Sequence, residues 1–264
     1  MKLKSKLLII AGSDSSGGAG IQADIKTATS LGVYAMTAIT AITAQNTKGV
    51  KSVIPIQPKE IFNQISYTVE DIKPNAIKIG MLHSIPVIQE VIKSIKKYKF
   101  KNIVLDPVMV SKSGIELISK NSIVYLKKHL IRFATLVTPN IPEAERLTGV
   151  KIFKLKDMVK AGKEILKLGA VYVLIKGGHM KGSKIQNILI TKKLVKIFIS
   201  KKIKTKHTHG TGCTLSSAIA SYLSRGYSIE KACDSSINYV YKAIEQHPGF
   251  GKGHGPVNHV ALLK

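Results

Sequence analysis

The feature that most constrains this chain is a set of short, β-branched runs that stay apolar on both faces. Residues 7–11, 76–79, 103–105, 136–138 and 171–175 are of this kind, each bounded by Gly, Pro or Asp. A strand half open to water alternates apolar and polar residues, whereas one covered on both faces reads as a continuous apolar run. Between these runs lie amphipathic stretches. In 155–168, Leu155, Met158, Val159, Ile165 and Leu166 fall on one helical stripe, and Gly169 follows as a stop. The stretches 58–72, 85–97 and 121–132 behave similarly. A β-α-β alternation of this kind predicts an α/β fold, a mostly parallel sheet flanked by helices on both faces. In such sheets ligands bind beyond the carboxyl ends of the strands.

Two segments interrupt the alternation. An extended Ala/Thr/Ile run at 34–45, continuing into 50–56, is expected to form a small β flap over the site. Residues 185–190 and 194–199 read as an edge hairpin turned at Lys192 and Lys193. With no repeat, low-complexity linker or compositional break, one domain is expected over 1–264. The basic opening, Met1 to Lys6, followed by Leu7 to Ile10 imitates a leader, but the apolar run ends at Gly12 and Asp14 and reads as a first strand. The longest uncharged stretch, 27–47, is laced with Thr, Ser, Gln and Asn and is not expected to span a membrane.

Charge is the one feature that argues for a different class. The chain has 41 Lys and Arg against 15 Asp and Glu, a net charge of +26, which invites a polyanion partner. The lysines are spread over the whole length, Arg is scarce and no aromatic residues interleave with the basic runs, so a solvated basic surface is expected rather than a specific nucleic-acid groove. Only Cys213 and Cys233 are present, too few for a disulfide framework, which suits a reducing, cytoplasmic setting. The histidines lack the i, i+4 spacing of a helical metal site.

The chemistry gathers at the predicted strand ends. After the first strand, Gly12 opens a loop in which Gly17, Gly18 and Gly20 let backbone approach a ligand closely. The spacing does not make a dinucleotide fingerprint. Asp106 follows the strand at 103–105. Asn140 and Glu143 follow that at 136–138, and Lys176 ends that at 171–175. Two carboxylates there suit a hydrated Mg²⁺ shared with phosphates, although an acid in a first helical turn is also favoured by the helix dipole alone. The sharpest feature runs from His207 to Thr214. Gly210 and Gly212 free consecutive N–H groups to face one anion at a helix N-terminus, with Thr208 and Thr211 beside them. Cys213 lies in the first turn, where the helix field is expected to lower its thiol pKa. Cys233, mid-helix, is expected to be a small buried apolar residue.

Taken together and in order, Ala11 to Asp24, Ala44 to Thr47, Lys78 to Leu82, Leu105 to Met109, Thr138 to Asn140 with Glu143, Lys176 to His179 and His209 to Cys213 resemble the hydroxymethylpyrimidine/phosphomethylpyrimidine kinases of thiamine biosynthesis. These belong to the ribokinase-like superfamily. The resemblance covers residues 7 to 257 and implies ATP and Mg²⁺ as cofactors, a homodimer, and two successive phosphorylations of a pyrimidine. By resemblance Gln45 reads the ring, and Gly12, Ala19, Asp24, Met81 and Val108 line its pocket. Cys213 matches the base for the alcohol, and Gly210, Thr211 and Gly212 match the anion hole. Asp106 and Glu143 match the metal position, while Asn140, Lys176 and Thr208 match the nucleotide phosphate site. A pyridoxal kinase of the same superfamily is the alternative, and a non-enzymatic polyanion-binding protein is the reading from another class.

Overall fold

The computed structural model describes residues 3, 5–112 and 114–262. Of the basic opening, Met1, Lys2 and Lys4 lie outside the described residues, as do both extreme ends of the span 1–264. Nine strands form one sheet in the order β3-β2-β1-β4-β5-β6-β7-β8-β9. Strands β1 (Lys6–Asp14), β2 (Tyr34–Asn46), β4 (Ala76–Ile79), β5 (Ile103–Leu105), β6 (Leu136–Val137) and β7 (Tyr172–Ile175) run parallel. β3 (Gly49–Pro55), β8 (Lys184–Ile190) and β9 (Val195–Lys201) pair antiparallel at the two edges.

The doubly apolar runs do what their composition predicts. In β1, Leu8 and Ile10 face one core while Leu7, Ile9 and Ala11 face the other. The first core is covered by α2 (Pro58–Asp71), α3 (Ile85–Tyr98), α4 (Lys120–His129), α5 (Ile141–Thr148) and α6 (Leu155–Lys167). The second is covered by α1 (Gly20–Ser30), α7 (Thr211–Ser224) and α8 (Ile229–Glu245). Truncating a fully buried residue such as Ile10 to Ala would cost roughly 2–5 kcal/mol in lost burial and cavity formation.

Two expectations shift in detail. The stretch 121–132 is not one helix: α4 stops at His129 and a separate 3-10 turn, Ile131–Phe133, carries Ile131 into the core. The segment expected as a flap is an integral part of the sheet. β2 pairs with β1 from Tyr34 to Thr43, and β3 pairs with its far half, carrying Gln45 past the end of β1. The helix that carries Cys213 begins at Thr211, with Gly210 at φ 79° as its N-cap, so Cys213 does lie in its first turn.

Among the described residues no helix is long and apolar enough to cross a membrane. The lysine-rich end of α3 is partly neutralised within the chain. Lys93 pairs with Glu90 and Lys97 with Glu70, and both ammonium groups lie over the Phe62 ring at 4.5 and 5.3 Å.

Candidate active site

The carboxyl ends of β1, β2 and β4 to β7 open into one cavity of ≈ 770 Å³. Its first wall is the loop between β1 and α1. The Asp14 carboxylate organises that loop by accepting hydrogen bonds from the Ser16 amide (2.8 Å), the Ser16 hydroxyl (2.7 Å) and the Ala19 amide (2.8 Å). It also meets His209 Nε2 at 2.7 Å. Burial alone would raise its pKa, but the His209 and Ser16 hydrogen bonds outweigh burial and hold it at about 2. Glycine is required here partly by the protein itself. A Cβ on Gly210 would run into the Gly18 carbonyl oxygen, and one on Gly20 into the Gly12 carbonyl. The two glycine-rich loops therefore pack backbone to backbone, a role the sequence reading had given to a ligand.

The second wall is charged. Lys176 Nζ lies 2.7 Å from Asp106 Oδ1 and 3.9 Å from Glu143 Oε2. Asp106 also accepts from the Ser216 hydroxyl at 3.2 Å. Glu143 is in the first turn of α5, where it and Asn140 form a reciprocal capping box. Burial, reinforced by the negative charge of Asp106, pushes the Glu143 carboxyl up to about 7 against the pull of Lys176. Two carboxylates and one ammonium leave this wall short of positive charge.

Between the walls stands the N-terminus of α7, whose first amides have no intrahelical acceptors. Cys213 lies in its first turn and receives a hydrogen bond from the Gly20 amide. The thiol is not activated as the sequence predicts. Burial, with the charges of Asp24 and Asp106, raises it to about 11 even though Lys78 pulls the other way. The helix field is a local effect, and desolvation among carboxylates exceeds it. Cys233 is fully buried among apolar neighbours, as expected.

Gly12, Ala19, Gln45, Met81 and Val108 line the cavity, and a Cβ on Gly12 would meet Met81 Cε at 2.5 Å. Asp106, Asn140, Glu143, Lys176, Thr208, Gly210, Thr211, Gly212 and Cys213 line it too. Asp24 does not. Its carboxylate is fully buried below, ion-paired with Lys78 at 2.6 Å and hydrogen-bonded by Ser217 at 2.6 Å. Burial is the largest influence on it and raises its pKa.

The sequence reading missed the remaining wall. Ile237, Val240, Tyr241 and Ile244 of α8, with Ile203, make an apolar surface there. Their helical spacing is indistinguishable from that of core residues. Lys112 and His179 also line the cavity. Lys112 is lowered by burial, and His179 is lowered by burial and then by Lys112, Lys176 and Lys202. That cluster of cations has the character of an anion site. Among the described residues no group of three or more His, Cys, Asp or Glu side chains could hold a metal ion by itself.

The sequence model of the family described as phosphomethylpyrimidine kinase matches residues 14–258. A hydroxymethylpyrimidine/phosphomethylpyrimidine kinase of Bacillus subtilis is 46% identical over 260 residues, 98% of this chain and 96% of that protein. A crystal structure of phosphomethylpyrimidine kinase from Clostridium difficile superposes with a TM-score of 0.82 at 50% identity, covering 91% of this chain and all of that one (100%). An ADP complex of Bacillus subtilis pyridoxal kinase superposes with a TM-score of 0.92 at 38% identity, covering 98% of each chain.

Proposed function

The chain belongs to the phosphomethylpyrimidine kinase family, and from that premise we propose an assignment of its cavity residues to the steps of the reaction. The protein is an ATP-dependent kinase of thiamine biosynthesis. It phosphorylates the hydroxymethyl group of 4-amino-5-hydroxymethyl-2-methylpyrimidine, then the resulting monophosphate to the diphosphate. The observation that carries the assignment is the set of groups gathered in one cavity. An amide reader (Gln45), a charged wall, a helix N-terminus and an apolar surface all line it.

Gln45 pairs with the ring nitrogen and amino group of the pyrimidine, while Gly12, Ala19, Met81 and Val108 hold the ring. The amides at Gly210 to Cys213 face the transferring phosphoryl group, and Lys176, Asn140 and Thr208 hold the nucleotide phosphates. The side chains of Asp106 and Glu143 fit Mg²⁺. They supply two carboxylates at a spot short of positive charge, and this ion takes few protein ligands and keeps its waters. Bound there, Mg²⁺ supplies charge neutralisation of the triphosphate. Phosphoryl transfer demands positioning more than a strong base. Cys213, a protonated thiol at neutral pH, orients the acceptor hydroxyl, whose proton passes to an oxygen of the transferring phosphoryl group as the new oxygen–phosphorus bond forms and the bond to the ADP leaving group breaks.

The finer setting belongs to the same proposal: one kinase domain over 1–264, in the cytoplasm, as a homodimer. Two unpaired cysteines suit a reducing compartment. Ile42 and Ile54, exposed on the β2–β3 hairpin, are apolar surface that a dimer would cover. Pyridoxal kinase is the second reading, favoured by the close superposition on such an enzyme. The test is ADP release from Mg-ATP with the hydroxymethylpyrimidine, its monophosphate and pyridoxal. Turnover of both pyrimidines with little on pyridoxal is expected, and preference for pyridoxal would overturn the assignment of Gln45.

A further inference from the structure

Gln45 stands in a hydrogen-bond network that dictates which way its side-chain amide faces. Its backbone is clasped by the Ser15 hydroxyl, which accepts from the Gln45 amide at 2.9 Å and donates to the Gln45 carbonyl at 3.0 Å. The side-chain amide sits between two polar neighbours, each of which faces one of its two ends. His209 Nε2 lies on one side of it at 3.2 Å, and the Thr43 hydroxyl on the other at 3.3 Å.

Both neighbours have already committed their protons. His209 Nε2 is 2.7 Å from Asp14 Oδ2, and Asp14 is a carboxylate at any pH the protein meets, held at about 2. An unprotonated Nε2 would set a lone pair against that carboxylate. Nε2 therefore carries a hydrogen, whether the ring is neutral or charged. Toward Gln45 it has no lone pair to offer an amide NH₂ and can only share the hydrogen it gives to Asp14, so the amide oxygen is the end that fits there. The Thr43 hydroxyl gives its single proton to the Ser13 carbonyl at 2.9 Å. Toward Gln45 it can only accept, and so it requires the amide NH₂. In the structure the amide nitrogen faces His209 and the oxygen faces Thr43; the two ends are nearly equal in size, so their hydrogen-bond partners decide which is which. Two independent neighbours demand the opposite orientation.

We propose that His209 and Thr43 are positioning residues that lock the Gln45 amide with Oε1 on His209 and Nε2 on Thr43, and so set how the bound ring is oriented. This rests on the kinase reading above. The locked amide keeps one lone pair on oxygen and one N–H on nitrogen. That acceptor beside a donor complements an amino group next to a ring nitrogen. Exchanging the two atoms would reverse the order and turn the ring over, directing its hydroxymethyl arm away from Cys213. A pyridine whose hydroxyl and ring nitrogen are not adjacent gains nothing from the lock. Asp14, by holding both His209 and the Ala19 amide, ties this reader to the loop that precedes Gly210.

The direct test is a long-range ¹H–¹⁵N correlation spectrum of histidine-labelled protein, with His209 identified by its loss in His209→Gln. A protonated Nε2 at neutral pH is expected, and an unprotonated Nε2 overturns the assignment. The functional test is Thr43→Val, which removes the acceptor with little change of shape. It is expected to raise KM for the hydroxymethylpyrimidine about tenfold, the scale of one lost hydrogen bond, with kcat little changed. The preference over pyridoxal should fall in proportion, and Thr43→Ser should restore both. Unchanged KM and selectivity in Thr43→Val would refute the lock. Should Thr43→Val fail to fold, the wild-type spectrum decides alone. A wild-type protein that turned over neither pyrimidine would defeat the kinase reading while the spectrum still judged the amide.

Discussion

Two lysine–aspartate pairs lie at the heart of this molecule with nearly the same geometry and opposite consequences. Lys78 meets Asp24 at 2.6 Å, and Lys176 meets Asp106 at 2.7 Å. The first pair is sealed: both side chains are 0% exposed, and Ser217 completes the carboxylate. Its charges cancel. The second pair opens to the cavity, with Lys176 13% exposed, and shares its ammonium with Glu143. Here one cation serves two carboxylates, and Glu143 is pushed up to about 7. A short ion pair does not by itself mark a site. An uncompensated charge within reach of solvent does, because only that arrangement gains from admitting another ion.

The comparison can be broken first at the sealed pair. Lys78→Met would strand Asp24 in the interior and is expected to destabilise the protein by about 3–5 kcal/mol in urea unfolding. Adding Asp24→Leu should recover most of that loss, since burying no charge costs less than burying one. A single variant as stable as the wild type would show the pair to be dispensable. Lys176→Met, at the open pair, should instead lower kcat for both phosphoryl transfers by about 10²–10³-fold. Its stability loss should be smaller than that of Lys78→Met, because the carboxylates left behind line the cavity and Glu143 can take up a proton. Similar unfolding curves for the two variants would erase the distinction drawn here.

Cys213 feels both pairs, so its variant sharpens the contrast between acceptors. Cys213→Ala is expected to slow transfer to the alcohol by about 10²-fold and transfer to the monophosphate much less, since a phosphate oxygen is already ionised. Equal losses in steady-state ADP release would remove Cys213 from the hydroxyl. The smallest effect belongs to Glu143→Gln in the absence of divalent cations. A carboxyl whose folded pKa is raised favours the folded state fully below its ordinary 4.5 and loses that advantage as pH rises to about 7. The variant should therefore match the wild type in acid and become the more stable of the two as pH climbs through that window, measured by thermal unfolding. A difference that stayed flat with pH would mean that Glu143 is not held up by its surroundings.

Much of the fold was legible because its signals are local. The strands at 76–79 and 103–105 match β4 and β5 to the residue; 103–105 is apolar on both faces, and in 76–79 only Lys78 interrupts the pattern. The charged wall was legible too: Asp106, Glu143 and Lys176 each follow a strand, and strand ends in a parallel sheet share one edge. The α8 wall was not, because Ile237, Val240 and Ile244 face a cavity with the same spacing that would face a core. Asp24 was misplaced for a related reason. It lies in a helix beside a glycine loop, and only Lys78 and Ser217, 54 and 193 residues away, draw it inward.

What the sequence by itself determined was the parallel sheet, the edge on which ligands must sit and the residue types gathered there. Hydrophobic period and turn chemistry act over a few residues, and so these are written in short stretches. Tertiary structure decided the rest: that the Cys213 thiol is raised rather than lowered, that Asp24 lies outside the cavity while Asp106 lines it, and that His209 and Thr43 meet Gln45. Each of these depends on solvent exclusion or charge summed over elements far apart in the chain, a quantity that no local pattern of residues contains.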